Sequence, residues 1–247
     1  MFNQILKLAL ENKRPPSSKA IQDLCEAIMA LSDSSHQDAI GNVWIDLRQG
    51  GSTTCFMAHL DTVHREEGPN PVVWTSKVAS TGGLSVLGAD DGAGVALLAG
   101  LISLKIPALY LFSQGEESGG HGAQFVVENF ADIFTNISRI ISFDRRGKFD
   151  ICGEQWCGPC ASREFVAELG VRLGMGHMWA CGTYTDNSEF RYLVPEIVNI
   201  SVGYEHCHKP TESLDLEYLH SLFQKCATLD WESLGVYRSC DLPTHLK

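Results

Sequence analysis

Carboxylates and histidines recur in this sequence where apolar runs stop: His59 and Asp61 after CFMA, Asp90 and Asp91 after SVLGA, Glu116 and Glu117 after LYLFSQG, and Asp144 after RIISF. Ligands in open α/β sheets gather at strand ends in this way. Carboxylates brought together and buried repel one another, so each must keep its proton or face a cation. A metal ion resolves that conflict. In His59-Leu60-Asp61 an extended backbone puts the first and third side chains on one face, where the carboxylate can hydrogen-bond the imidazole and fix its tautomer. Residues 88–94, GADDGAG, set Asp90 and Asp91 between small residues at a strand-to-helix turn, where the backbone can approach an ion closely and one acid can bridge two ions. Glu116 and Glu117 are neighbours in an extended segment and point to opposite sides, so one can coordinate while the other handles protons. Each motif alone has a plainer reading: HxD or DDG as a turn, EE as a solvated acidic loop. His206 and His208 both follow the run NISVGY, and the residues by themselves leave open which of them is a ligand. His64, His121 and His177 stand singly and read as surface or hydrogen-bonded residues.

The elements that must carry these groups show in the alternation of short apolar runs with helical patterns. VWIDL, TTCFMAHLD, ALYLFSQ and RIISFD read as strands, and GAGVALLAGLISL and GAQFVVENFADIF as helices. The expected fold is α/β: one domain over residues 1–247, with a central, mostly parallel or mixed β-sheet flanked by helices. An amphipathic N-terminal stretch predicts a helical segment over about residues 1–35, and its basic end does not suit a secretory leader. KFDIC predicts a strand before a helix over residues 162–173, EIVNISVGY another before a closing helix from about Leu216. Residues 66–83, with their glycines and prolines, read as a surface excursion that rims the site. A chain of 247 residues can bury one sizeable core.

Composition narrows the function. With 30 acidic and 19 basic residues the net charge is −11 and no basic run stands out, so nucleic acid is not an expected partner. The longest apolar stretch, residues 95–112, is interrupted by Lys105 and Pro107, which suits a buried helix and strand rather than a membrane span. Nine cysteines, mostly single within apolar runs, read as buried free thiols in a reducing compartment. A cytoplasmic protein is expected.

The runs MAHLDTV, LGADDGAG, SQGEESGG, SFDRRG, TYTDNSEF and SVGYEHCHKPTESLDL together resemble the co-catalytic zinc peptidases, the family of zinc-dependent aminopeptidases and the related dimeric exopeptidases and deacylases. They occur in family order over about two thirds of the chain, and the arrangement is most similar to small peptidase-like proteins of bacteria and their phages. The resemblance implies two divalent metal ions, zinc by preference, with His59 and Asp144 on one, Glu117 and His208 on the other, and Asp90 bridging both. Asp61 would orient His59, Asp91 would follow Asp90 through a cis peptide, and Glu116 would be the general base. His208 is preferred to His206 because the family's closing histidine stands two residues before a proline. The ions would bring the pKa of a bridging water toward about 7, and Glu116 would pass its proton to the leaving amine of a peptide or amide substrate. Tyr184 is the candidate oxyanion donor, and Asp186 a supporting group or a turn residue. The stretch between Asp144 and His208 is too short for the lid domain of the dimeric exopeptidases. A single-domain aminopeptidase is therefore expected, with an N-acyl amino acid deacylase or a non-catalytic domain with a degenerate metal site as alternatives.

Trp156-Cys157-Gly158-Pro159-Cys160 departs from that pattern and spells the thioredoxin active-site motif. No complete thioredoxin domain fits around it. It reads mainly as a structural turn, with redox catalysis, a regulatory disulfide or a third metal site involving Cys152, Cys157 and Cys160 as the other possibilities.

Overall fold

The computed structural model describes residues 1–48 and 51–240; residues 49–50 and 241–247 of the expected domain lie outside the described residues. A mixed sheet runs through the centre. In spatial order its strands are Gly158–Pro159, Asp150–Gln155, Glu196–Ser201, Arg139–Arg145, Thr54–His59, Leu109–Ser113, Val43–Asp46 and Ser35–Gln37, with Met178–Cys181 also paired to Asp150–Gln155. The middle four, from Glu196–Ser201 to Leu109–Ser113, are parallel, while Val43–Asp46 and Asp150–Gln155 join them antiparallel. This is the α/β fold expected, with four parallel strands at the centre and one further parallel pair, Met178–Cys181 on Asp150–Gln155, beside them.

Central parallel strands need cover on both faces, which explains why Thr54–His59 and Leu109–Ser113 are buried along their whole length. One face carries the helix Ala89–Ser103, buried from Ala89 to Ile102 because it is sandwiched between the sheet and the helices Phe2–Leu10 and Leu216–Thr228. A helix apolar on all sides belongs in such a middle layer. The opposite face packs Cys55, Met57, Leu109 and Leu111 under Ala123 and Val126 of the helix His121–Phe130 and under Phe190. The N-terminal segment holds two helices, Phe2–Leu10 and Lys19–Met29, the second capped by Ser18. Ser162 caps the helix Arg163–Leu173 and Asp215 caps the helix Leu216–Thr228, which places both where the sequence pattern expects them. Within residues 66–83, Val73–Trp74 and Val78–Ser80 form a hairpin, and the second strand pairs with Ser213–Asp215 beside the end of the sheet. No described helix is long and apolar enough to cross a membrane.

The parallel register puts the carboxyl ends of three strands side by side: His59 is opposite Ser113, and Met57 opposite Ser142. At the other end of the same strands Glu232 acts as an anchor. Its carboxylate accepts hydrogen bonds from Ser52 Oγ at 2.7 Å, Thr53 N at 2.9 Å and Thr54 Oγ1 at 2.8 Å, and it pairs with Arg139 at 3.3 Å. Burial works against its charge, but these donors win and hold Glu232 at about 2, below its ordinary 4.5. A carboxylate with a lowered folded-state pKa stabilises the protein above its ordinary value, and that contribution disappears as pH falls toward the folded-state value. Glu232→Gln is therefore expected to lower the melting temperature at pH 7, and the gap from the parent should close as pH falls from 4.5 toward about 2 in a thermal-unfolding series.

Candidate metal centre

His59 ends its strand with its imidazole buried between two sets of oxygens. Nδ1 is 3.1 Å from the main-chain oxygen of Asp61, so it carries the proton and leaves the lone pair on Nε2. Nε2 points at Asp90 Oδ1 at 3.2 Å and Asp144 Oδ1 at 3.5 Å. Asp90 sits at a turn where the chain enters the helix Ala89–Ser103 with non-helical dihedrals, and the Asp90–Asp91 peptide is cis. Its other oxygen, Oδ2, is 3.1 Å from His208 Nε2, and that nitrogen is 3.0 Å from Glu117 Oε1. One carboxylate is thus shared between a His59–Asp144 half and a His208–Glu117 half.

In each half an imidazole nitrogen faces two carboxylate oxygens. Lone pairs opposed in this way need a cation between them, either a proton or a metal ion. Without metal the proton takes that place: contacts with Asp90 and Glu117 push His208 up to about 10. At His59 burial opposes the charge, but Asp144, Asp61 and Asp90 together raise it well above its ordinary value. Burial also works against the Asp90 charge, yet the His208 and His59 imidazoles hold that carboxyl well below the usual carboxylate range. Glu117 Oε1 is buried and faces the His208 imidazole nitrogen at 3.0 Å, so a proton or a metal ion must lie between them. Donor atoms of His59, Asp90 and Glu117 lie within 4.8 Å of one another, as do those of His59, Asp91 and Asp144, and those of Asp90, Cys207 and His208. The set of imidazoles and carboxylates fits divalent ions of the zinc type.

Neighbouring residues hold these donors in place, and here the structure refines the sequence reading. Asp61 stands with its carboxylate 3.7 Å from His59 Nδ1, beyond hydrogen-bond length, so its main-chain oxygen orients the ring instead. The carboxylate turns to the loop after the Leu109–Ser113 strand and accepts N–H groups of Gly115 at 2.8 Å, Glu116 at 3.2 Å and Glu117 at 3.3 Å. Asp91 accepts the N–H groups of Gly94 at 2.9 Å and His59 at 3.2 Å. Asp144 is held by Thr185 Oγ1 at 2.8 Å, by the Tyr204 hydroxyl at 3.2 Å from Oδ1, and by Asn199, which accepts its N–H at 2.9 Å. Ser113 Oγ donates to Asp186, a buried carboxyl pushed up to about 6 by desolvation.

Two further residues tie the ligand loops together. The fully buried Arg14 donates to Leu60 O at 2.9 Å and Gly88 O at 2.8 Å, joining the segments that bear His59 and Asp90. Burial pulls its guanidinium down to about 10 against the attraction of Asp91 and Asp61. Glu212 accepts four consecutive N–H groups, of Leu87, Gly88, Ala89 and Asp90, at 2.9 to 3.1 Å, and so clamps the Asp90 turn to the chain that carries His208. Sequence reasoning quoted Glu212, Thr185 and Tyr204 within motifs without giving them a task. Arg14 had no signal at all, since its partners are far away in the chain.

Glu116 lines a cleft of about 260 Å³ with Asp90, Asp144 and His208. Burial first, then the charges of Asp144, Asp186 and Glu117, push it up to about 9 despite His59. Tyr184 lines the same cleft, but its hydroxyl donates to Glu189 at 3.1 Å. His206 is exposed and makes no contact with the cluster, whereas His208 does. His64 is held by Thr62 and Val86 O, His177 by Tyr218, and His121 begins a helix on the far side of the loop.

No family model matches the sequence, and no curated protein matches it. Solved structures do. The PepT aminopeptidase of Bacillus cereus superposes with a TM-score of 0.70 at 16% identity, over 91% of this chain and 95% of that one. The TET1 peptidase of Pyrococcus horikoshii, which can assemble into a tetrahedron or a large octahedral shell, gives 0.69 at 16%, over 92% and 98%. A tripeptidase of Staphylococcus aureus gives 0.71 at 14%, over 91% and 95%. The chain has the fold of these peptidases. That agrees with the architecture implied by the sequence resemblance.

Glu212→Gln would turn an amide N–H₂ toward N–H groups that now have an acceptor. Leaving buried donors unpaired costs about 1–3 kcal/mol each. The substitution is expected to lower stability by at least that amount in urea unfolding of the metal-free protein.

Proposed function

We propose that this chain is a single catalytic domain that hydrolyses peptide bonds next to a free N-terminus, using two divalent metal ions, zinc by preference. The observation that carries this reading is the division of the Asp90 carboxylate, with one oxygen toward His59 and Asp144 and the other toward Glu117 and His208. Those five residues would hold the ions. When bound, the ions supply Lewis acidity, polarising the scissile carbonyl and lowering the pKa of the attacking water. The fold shared with aminopeptidases and a tripeptidase supports a peptide as substrate.

Glu116 takes the remaining role. It lines the cleft beside Asp90 and Asp144, which supports it as the group that accepts the proton of the water and returns it to the leaving amine. Asp61 keeps the Glu116–Glu117 loop in register by gathering three of its N–H groups, which lets one glutamate coordinate while its neighbour moves protons. Tyr184 could donate to a developing oxyanion only by giving up its bond to Glu189.

Glu116→Gln should lower kcat on aminoacyl substrates by about 10²–10⁴-fold while metal analysis still finds two ions per chain. An unchanged rate would remove Glu116 from the mechanism. His208→Ala should lose one of the two ions and His206→Ala neither, as read by metal content after dialysis. A panel pairing free-amine with N-acylated substrates separates the two hydrolase readings, and cleavage of the acylated compounds alone would replace the peptidase by a deacylase.

A further inference from the structure

The WCGPC segment is not absorbed by the metal centre, and only Cys160 of it is buried in the core. Its residues form the tip of an edge hairpin, where Gly158–Pro159 turns back on Asp150–Gln155 and Gln155 pairs with Gly158. The left-handed Gly158, with φ of 103°, brings Cys157 and Cys160 to the same side, and their sulfurs are 3.9 Å apart. Cys160 is buried and tied down by its N–H to Gly153 O at 2.9 Å, while Cys157 is partly exposed. Neither belongs to any of the candidate metal-donor groups among the described residues, so a third metal site has no support there.

We infer that Cys157 and Cys160 form a reversible intramolecular disulfide by exchange with a small-molecule disulfide. The accessible Cys157 thiolate attacks one sulfur of that disulfide, and the first small thiol leaves. Cys160 then attacks the Cys157 sulfur of the mixed disulfide and expels the second. The cysteine pair gives up two electrons and two protons, and the small disulfide becomes two thiols. Bond formation brings the sulfurs from 3.9 Å to about 2.05 Å. Burial pushes the Cys160 thiol up to about 12, which makes Cys157 the sulfur that reacts first.

The hairpin reaches the metal centre through a short relay. Trp156 N–H donates to Thr183 O at 2.8 Å, Gln155 Oε1 accepts the Thr185 N–H at 2.9 Å, and Thr185 Oγ1 donates to Asp144 at 2.8 Å. Residues 183–185 thus link the hairpin to a proposed ligand. The disulfide itself does not depend on the peptidase reading.

The test exposes the folded protein to a series of glutathione redox buffers, with differential alkylation and peptide mapping by mass spectrometry. The expected result is a Cys157–Cys160 crosslink that accumulates as the proportion of oxidised glutathione rises and disappears with dithiothreitol. In Cys160→Ser, glutathione should instead remain on Cys157 as a stable mixed disulfide. The inference is overturned if both thiols stay alkylatable in excess oxidised glutathione, if the wild type stops at the mixed disulfide, or if either sulfur pairs with another cysteine such as Cys152 or Cys181. The wild-type mapping decides the matter even if a variant folds poorly.

Discussion

Negative charge crowded at one end of the sheet is the constraint around which this molecule is organised. Asp61, Asp90, Asp91, Asp144, Glu117, Glu116 and Asp186 converge there, several of them almost inaccessible to water. Carboxylates cannot be taken out of water in such number without compensation. The protein provides it in three ways. Backbone N–H groups converge on Asp61, Asp91 and Glu212, a single buried guanidinium at Arg14 lies beneath Asp61 and Asp91, and the His59 and His208 imidazoles face the rest. Where those imidazoles meet the carboxylates of Asp90, Asp144 and Glu117, a proton or a bound cation must lie between them.

The architecture follows from keeping that cluster rigid. Four parallel strands present their carboxyl ends in one row; of the proposed ligands His59, Glu117 and Asp144 are attached at or just beyond such an end, while Asp90 comes from the first turn of the helix Ala89–Ser103 and His208 from the chain after Glu196–Ser201. The apolar helix that begins at Ala89 anchors the shared carboxylate of Asp90 from one side, and the clamp at Glu212 does so from the other. Anchors at the opposite end of the strands, such as Glu232 with Arg139, leave the row of ligands free of any structural duty there. Site and scaffold are thus separated along the strand direction. The cysteine hairpin is joined to the Asp144 side of the site by the relay through Gln155 and Thr185.

Much of this was legible in the chain itself. Runs such as TTCFMA and ALYLFS are apolar without alternation because the strands they form are covered on both faces, and that property is local enough to read. The ligand candidates were legible for a related reason: acids and histidines placed just after such runs make sense only if something gathers them. The caps at Ser162 and Asp215 likewise involve residues three apart, well within the reach of pattern. Other features depend on groups distant in sequence. Asp61 looked like the partner of the His59 ring because the two share a face of one strand, yet its carboxylate turned away to a loop more than fifty residues later.

The sequence alone therefore determined the kinds of donor, their order and the α/β frame, because these rest on local periodicity and residue chemistry. Only the tertiary structure supplied the contacts behind the division of donors that the resemblance implied. It directed the two oxygens of Asp90 to different histidines and brought His208, not His206, to the cluster. It also placed Arg14 beneath the loops of the proposed ligands. The physical reason is that these are relations across space between groups that share no local pattern, and they exist only once the parallel register has placed the strand ends side by side.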